Sequence, residues 1–579
     1  MEFMVWAPAA QSVKLELGGQ LLPMHRDGRG RWVLEQPAVS GQTRYRYVVD
    51  DGEPTPDPRS RWQPDGVHGA SCAWPVEDLG PRGEPFRAPP LTDAVIYEIH
   101  IGTFTAEGTY RAAQDKLGHL RDLGVTHLEL MPLATFPGER GWGYDGVYFY
   151  APHPAYGTPE DLAAFVRACH EHGLAVLLDV VYNHLGPDGN YLARFGPYFT
   201  SHWKTPWGDA INYDAADSDE VRAFVIENAL MWLRDYGFDG LRLDAVHAII
   251  DERAKHLLEE LAEKVAALGQ ETGRELVLIA ESDRNDPKYV LPRNRGGFGL
   301  SAHWADELHH ALHTVLTGER DGYYSDFGRI EHIAAALRSG YVFQGQYSPF
   351  RRRGHGRPPE GVRSEQLVVC AQNHDQIGNR ALGERTSQLL PPEKLKAMAA
   401  LVLLSPFTPM LFQGEEWGAM TPFLYFTDHH DEKLGHAVTE GRRHEFAAFR
   451  WQPETVPDPQ ERRTFVRSKL RWDELDEPES QDMLQWYRRL LRLRREYVVP
   501  GRENRAVEFD EANGWLTLRI GELAVTCNLS PRQQAVPMAE GEWTLAADST
   551  GGSERRPSDP VPGWATLIWR RAGKPVAAS

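Results

Sequence analysis

The sequence predicts an α/β fold, a closed barrel of eight parallel strands with one β-sandwich before it and another after it, on three observations. Short apolar runs alternate with longer amphipathic segments through the middle of the chain. Both ends show the two-residue alternation of half-buried strands instead. Acids, arginines and histidines stand directly after several of the apolar runs, where the active site of such a barrel is assembled.

The first element is a small immunoglobulin-like β-sandwich over residues 1–85, read from Val13-Lys-Leu-Glu-Leu17 and Tyr45-Arg-Tyr-Val-Val49 with Gly and Pro between the strands. Pro81, Gly83, Pro85, Pro89 and Pro90 then mark a linker. The barrel is expected over 91–500, its strands at 94–99, 126–131, 175–181, 240–243 and 276–280, with weaker ones at 299–303, 366–371 and 408–412. Helical patterns at 160–172, 219–236, 252–268, 330–337 and 393–404 lie between them. A doubly wound open sheet would share this alternation, but no glycine-rich phosphate loop follows the first strand, and eight strands suit closure into a (β/α)₈ barrel. Strand alternation returns over 505–579, as in Trp515-Leu-Thr-Leu-Arg519, and predicts the closing sandwich.

A chain of 579 residues exceeds one hydrophobic core, so several domains are expected. A net charge of −19 repels phosphate backbones and argues against nucleic acid as a partner. Two basic runs, Arg351 to Arg357 and Arg488 to Arg495, read as a solvated loop and the polar face of an amphipathic helix. No apolar run is long enough for a membrane helix, and the first residues do not read as a secretory signal. Cys72, Cys169, Cys370 and Cys527 are scattered singly, which suits a reducing cytoplasm and offers neither a zinc motif nor a disulfide framework. No cofactor and no metal are expected, since no metal-ligand spacing and no EF-hand-like acidic loop occur.

The chemistry sits at the ends of the runs. The third continues into Asp179-Val-Val-Tyr-Asn-His184, the fourth ends Arg242-Leu-Asp244, the fifth meets Glu281, and the seventh leads to Asn373-His-Asp375. Side chains two apart share a strand face, so Arg242 and Asp244 should point into the barrel mouth together. A neighbouring guanidinium lowers a carboxyl pKa, as a nucleophile needs. Glu281 follows three apolar residues with no adjacent cation in the sequence, which suits a general acid. Retaining glycosidases use such a pair about 5 to 5.5 Å apart. Asp179 lies within its strand and reads as an orienting residue. Trp142, Trp203, Trp207 and Trp304 read as packing residues first, with sugar stacking as the alternative.

Taken together and in this order, these four segments resemble the motif regions of the α-amylase superfamily, glycoside hydrolase family 13. The resemblance implies Asp244 as nucleophile, Glu281 as general acid/base and Asp375 as the transition-state stabiliser. It implies that Arg242, His184 and His374 hold the sugar at the cleavage point and that Tyr144 stacks beneath it. Asp306, His310, His247, Gln376 and Asn379 would line the neighbouring subsites, and Ser282 and Asp283 would meet the leaving side. Ala280-Glu-Ser-Asp-Arg-Asn285, Asn373 to Arg380, Phe412-Gln-Gly-Glu-Glu-Trp417 and the stretch from Phe426 to Phe446 are similar to the branch that hydrolyses maltooligosyltrehalose beside its terminal trehalose. Glu307-Leu308 departs from the Asp-Phe expected there. The likeness implies a partner synthase that makes the substrate, and a monomeric enzyme is expected. A branching transferase would use the same carboxylates and is the first rival; a non-catalytic binding barrel, expected to lack one of them, is the second.

Overall fold

The computed structural model describes residues 1–37, 43–80, 86–447, 456–498 and 505–571, without the side chains of 445–447. Glu2–Trp6, His25–Arg26 and Arg31–Glu35 form a three-stranded sheet, and Val13–Leu17, Gln20–Pro23, Arg44–Val49 and Ser71–Cys72 a four-stranded one. Phe3, Val5, Val13, Leu15, Tyr45 and Tyr47 are buried in this unit, so the alternation read from sequence marks its inner faces. Three of its arginines meet acids along one barrel helix and its final turn: Arg31 with Glu220 at 2.8 Å, Arg59 with Glu227 at 2.5 Å and Arg61 with Asp235 at 2.8 Å. The predicted linker residues Pro81, Gly83 and Pro85 lie outside the described residues.

Eight parallel strands close the barrel in chain order. They are β1 (Ile96–Ile99), β2 (His127–Leu130), β3 (Ala175–Val180), β4 (Gly240–Leu243), β5 (Val277–Ala280), β6 (Ala302–Trp304), β7 (Leu367–Cys370) and β8 (Thr408–Phe412). All are buried along their length, which is why they read as continuous apolar runs rather than as alternation. Gly240 opens β4 because a Cβ there would lie 2.5 Å from the Val277 carbonyl oxygen.

The main helices are α1 (Leu117–Leu123), α2 (Pro159–Glu171), α3 (Ser218–Met231), α4 (Leu257–Thr272), α5 (Glu307–Thr317), α6 (Ile330–Ser339), α7 (Pro392–Leu403), α8 (Glu432–Ala447) and α9 (Pro478–Tyr497). α2 begins on a capping box between Thr158 and Asp161 with Pro159 in its first turn. α4 starts at Leu257 and not at 252, because the His256 side chain accepts the Leu258 N–H and fixes the end there. Between β5 and β6 the described chain forms only short 3-10 turns, Pro287–Tyr289 and Arg293–Arg295, and two helices follow β6.

The basic run in α9 corrects the sequence reading in part. Arg494 is buried, and its guanidinium donates to the carbonyls of Leu403, Ser405 and Phe407 at 2.9, 2.8 and 2.6 Å, closing the end of α7. Beyond α9, the strands Arg505–Asp510, Trp515–Ile520, Leu523–Asn528, Trp543–Asp548 and Thr566–Arg571 make one antiparallel sheet of five. One face packs on α6 and α7, and Trp515, Val536, Val561, Leu567 and Trp569 cluster on the other. All the described strands of this unit lie in that sheet, and loops supply the second layer that the predicted sandwich required. Alternation reports that a strand has an inner face, not what covers it. Among the described residues no helix is long and apolar enough to cross a membrane.

Candidate active site

Asp244 is the first residue past β4, and its backbone N–H is held by the Val180 carbonyl of β3. Ala245 then turns into the left-handed region at φ 38°, an uncommon conformation for a residue with a Cβ. That turn aims the Ala245 N–H at Glu281, whose Oε2 accepts it at 2.6 Å, while the Glu281 N–H is held by the Leu243 carbonyl. The two acids are thus fixed on neighbouring strand ends by the same stretch of backbone.

Arg242 is fully buried between them. Its Nη1 donates to Asp244 at 2.7 Å and to both oxygens of Asp179 at 2.9 and 2.8 Å, and its Nη2 stands 3.7 Å from Glu281. Its guanidinium lies over the Trp304 ring at 4.2 Å. Burial alone would raise the Asp244 pKa, but Arg242, His184 and a 2.7 Å hydrogen bond from Asn183 outweigh it and hold the carboxyl below its usual range. Glu281 has a cation nearby after all, since the closed barrel brings Arg242 across from the adjacent strand. Burial, with Asp244, Asp375 and Asp306 adding to it, still wins over that cation and pushes Glu281 up to about 8.

A polar layer lies beneath them. The Tyr144 hydroxyl donates to Asp179 at 2.7 Å and meets His374 Nε2 at 2.8 Å, its ring stacked on that imidazole. Glu98 of β1 accepts both the His374 backbone N–H at 3.0 Å and Nδ1 at 2.5 Å. Burial would lower the His374 pKa, but Glu98 and Asp375 reverse it and raise the imidazole to about 9. Glu129 of β2 lies beside them, buried, its carboxyl without a hydrogen-bond partner among the described residues. Burial, then Glu98 and Asp179, raise its pKa well above the usual range. Sequence reasoning passed over Glu98 and Glu129, although an acid inside a short, mostly apolar barrel strand was a readable signal.

Asp375 lies in the first turn of the short helix His374–Gly378, capped by Asn373, and is the most exposed of these acids, with Asn379 Nδ2 at 3.3 Å. Gln376 follows it, its N–H taken by Asn373. Asp306 precedes α5, and burial with Asp375 and Asp283 raises it to about 7. Glu307, the departure from the family pattern, accepts the N–H groups of Val342 and Phe343 at 2.6 and 2.9 Å, which fixes the loop after α6. His310 is packed among the rings of Tyr323, Tyr324 and Phe327. His247 sits in the turn after Ala245, its carbonyl bonded by Arg284. Asp283 pairs with Arg351 at 3.1 Å, so this arginine belongs to the mouth rather than to a solvated loop, because acids from two distant segments, Asp283 and Asp326, converge on it.

His184 bonds the Tyr144 carbonyl through Nε2 at 3.0 Å and stacks on Trp207, ring centroids 4.2 Å apart. Trp207 is 48% exposed at the tip of the hairpin Phe199–Thr205 and Gly208–Ile211, whereas Trp142 and Trp304 are buried. Among the described residues, one set of histidines and a carboxylate has ligand atoms gathered within 4.8 Å: His68, Asp188 and His430, none of them in the carboxylate cluster.

An eight-stranded parallel barrel with an aspartate held low in pKa by a buried arginine, a glutamate pushed up to about 8 and a third acid at its mouth defines a glycoside hydrolase of the α-amylase superfamily. The model of the α-amylase catalytic domain matches residues 81–205, and a domain of unknown function, DUF3459, matches 500–568. The chain belongs to the malto-oligosyltrehalose trehalohydrolase family. It is 48% identical to a member from Mycobacterium tuberculosis over 95% of this chain and 96% of that one. The member from Arthrobacter ramosus is 50% identical over 92% and 94%. A crystal structure of a candidate α-amylase from Salmonella typhimurium superposes with a TM-score of 0.90 at 39% identity, covering 98% of this chain and 97% of that one.

Proposed function

We propose that this enzyme hydrolyses the α-1,4-glucosidic bond next to the terminal trehalose of maltooligosyltrehalose, releasing trehalose and a shortened maltooligosaccharide. The relatives that match almost the whole chain carry that activity in their names. The observation that carries the mechanism is the opposite displacement of two carboxyls beside one guanidinium, Asp244 down and Glu281 up to about 8. Asp244 attacks the anomeric carbon while Glu281 gives its proton to the leaving oxygen. Glu281, now a base, then takes a proton from water that displaces Asp244, so the configuration is retained. Asp375 stabilises the transition state through the sugar hydroxyls, and Arg242, His184, His374 and Tyr144 hold the ring. His247, Asp283, Asp306, His310, Gln376 and Asn379 line the subsites on either side.

The enzyme acts as a cytoplasmic monomer whose substrate comes from a separate synthase, with β units at 1–85 and 505–579 flanking a catalytic unit at 91–500. Cys169, Cys370 and Cys527, buried and outside any disulfide, support the reducing compartment. The test is to offer maltotriosyltrehalose and maltopentaose in parallel and follow the products by chromatography. Fast release of trehalose from the first with slow cutting of the second is the expected result. Equal rates would make this a general amylase, and new branch points a transferase.

A further inference from the structure

His68, Asp188 and His430 are far apart in sequence, one in the N-terminal unit, one in the loop after β3 and one in the loop after β8. His68 Nε2 stands 3.0 Å from Asp188 Oδ1, and His430 Nδ1 stands 3.5 Å from Oδ2 of the same carboxylate. Ligand atoms around a tetrahedral zinc ion, bonded at about 2.0–2.1 Å, lie roughly 3.4 Å from one another. Each imidazole is therefore near that spacing from one of the two carboxylate oxygens; with a single oxygen as ligand the three ligand atoms lie within 4.8 Å of one another, and small rotations of two exposed imidazoles close the set.

The surroundings fit a metal site as well as the ligands do. The Tyr191 hydroxyl meets His68 Nδ1 at 2.7 Å and the His430 backbone N–H donates to Asp188 at 3.1 Å, so one imidazole and the carboxylate are already oriented by outer partners. The Asp188 side chain is only 8% exposed, and among the described residues its ion-pair partners are these two histidines, with no lysine or arginine. His68 and His430 line a cavity of about 690 Å³ shared with Gly138, Arg140, His153 and Phe465, which gives a cation a path in and room for a water as fourth ligand.

We propose that His68, Asp188 and His430 form a binding site for a divalent transition cation of the zinc class. Two imidazole nitrogens and one carboxylate oxygen suit such an ion better than calcium or magnesium, which favour all-oxygen shells. The bound ion ties the N-terminal unit to two loops of the barrel mouth, one of which also carries His184.

The full-length chain, stripped of metal and dialysed, is titrated with Zn²⁺ against a chromophoric chelator, and thermal melting is followed with and without Zn²⁺. One equivalent per chain is expected, weakened at least 10–100-fold in both His68→Ala and His430→Ala, and unchanged in His25→Ala, an exposed histidine elsewhere. Zn²⁺ should raise the Tm of the parent chain and of His25→Ala but not of the two site variants. Co²⁺ should give the visible ligand-field absorption of a low-coordinate N/O site in the parent chain and in His25→Ala, and in neither site variant. Absence of one-equivalent binding, binding that survives both substitutions, or binding lost in only one of them overturns the three-ligand site.

Discussion

Glu281 is held by burial at a proton affinity that its sequence neighbours alone would not produce, and its titration has two separate consequences. In the proposed role of general acid it must be protonated, so kcat/KM should fall on the alkaline side as pH rises through about 8. Glu281→Gln should abolish that limb and lower kcat on the order of 10²–10⁴-fold. The folded protein also binds this proton more tightly than the unfolded chain, for which the ordinary value is 4.5. The contribution of Glu281 to stability is therefore fully present below about pH 4.5 and lost as pH rises through about 8. The Tm of Glu281→Gln relative to the parent should climb across that window; a constant difference from pH 4.5 to 9 would contradict the assigned displacement. At this scale Glu98 and Glu129, inside their strands, were passed over, whereas Asp244 and Glu281 were legible in the sequence, since each stands directly after an apolar run. The cations that tune them were less so: Arg242 serves both Asp244 and Glu281 only because β4 and β5 lie side by side, and Arg351 finds Asp283 and Asp326 only through loops closed in space.

Among the elements, the barrel strands were the most readable. A strand buried on both sides must be apolar throughout, so β4 and β8 fall at the predicted bounds and the others within a few residues. Helices depend more on capping and on what they pack against: α4 begins five residues later than periodicity suggested, while between β5 and β6, where the sequence marked no helix, only short turns occur. Two substitutions test the packing of these elements. Gly240→Ala drives a methyl group against the Val277 carbonyl and Cγ2, at 2.5 and 2.4 Å, and should cost about 1–3 kcal/mol of stability in denaturant titration. Arg494→Met leaves three buried carbonyls without their donor and should cost roughly 2–4 kcal/mol by the same measurement, with kcat unchanged in the fraction that stays folded.

For the molecule as a whole, the N-terminal unit is fastened to the barrel by charge as well as by apolar contact. Its three arginines meet Glu220 and Glu227 of α3 and Asp235 just past its end, pairs that are only partly exposed. Replacing Arg31, Arg59 and Arg61 together by methionine should lower stability by about 1–2 kcal/mol at low salt and by less at high salt. Hydrogen exchange should quicken in Val13–Leu17 and Arg44–Val49 while the barrel strands stay protected. Unchanged exchange in those strands would show that apolar packing alone holds the unit. The sequence made the unit itself visible through alternation. It gave no sign of this seam, because arginines and acids about 170 to 190 residues apart are indistinguishable from ordinary surface charge until the chain is folded.

The four cysteines are distributed with one in each major layer: Cys72 in the N-terminal sheet, Cys169 in α2, Cys370 in β7 and Cys527 in the C-terminal sheet. All are buried, and burial raises each thiol pKa, to about 12 for Cys527. In the native state none is a usable nucleophile, so a thiol reagent can modify each only after its own layer opens. Pulsed alkylation read by peptide mass would therefore turn the wild-type chain into a four-channel clock of its unfolding, reporting without any inserted probe whether the two β units come away before the barrel or all layers open together.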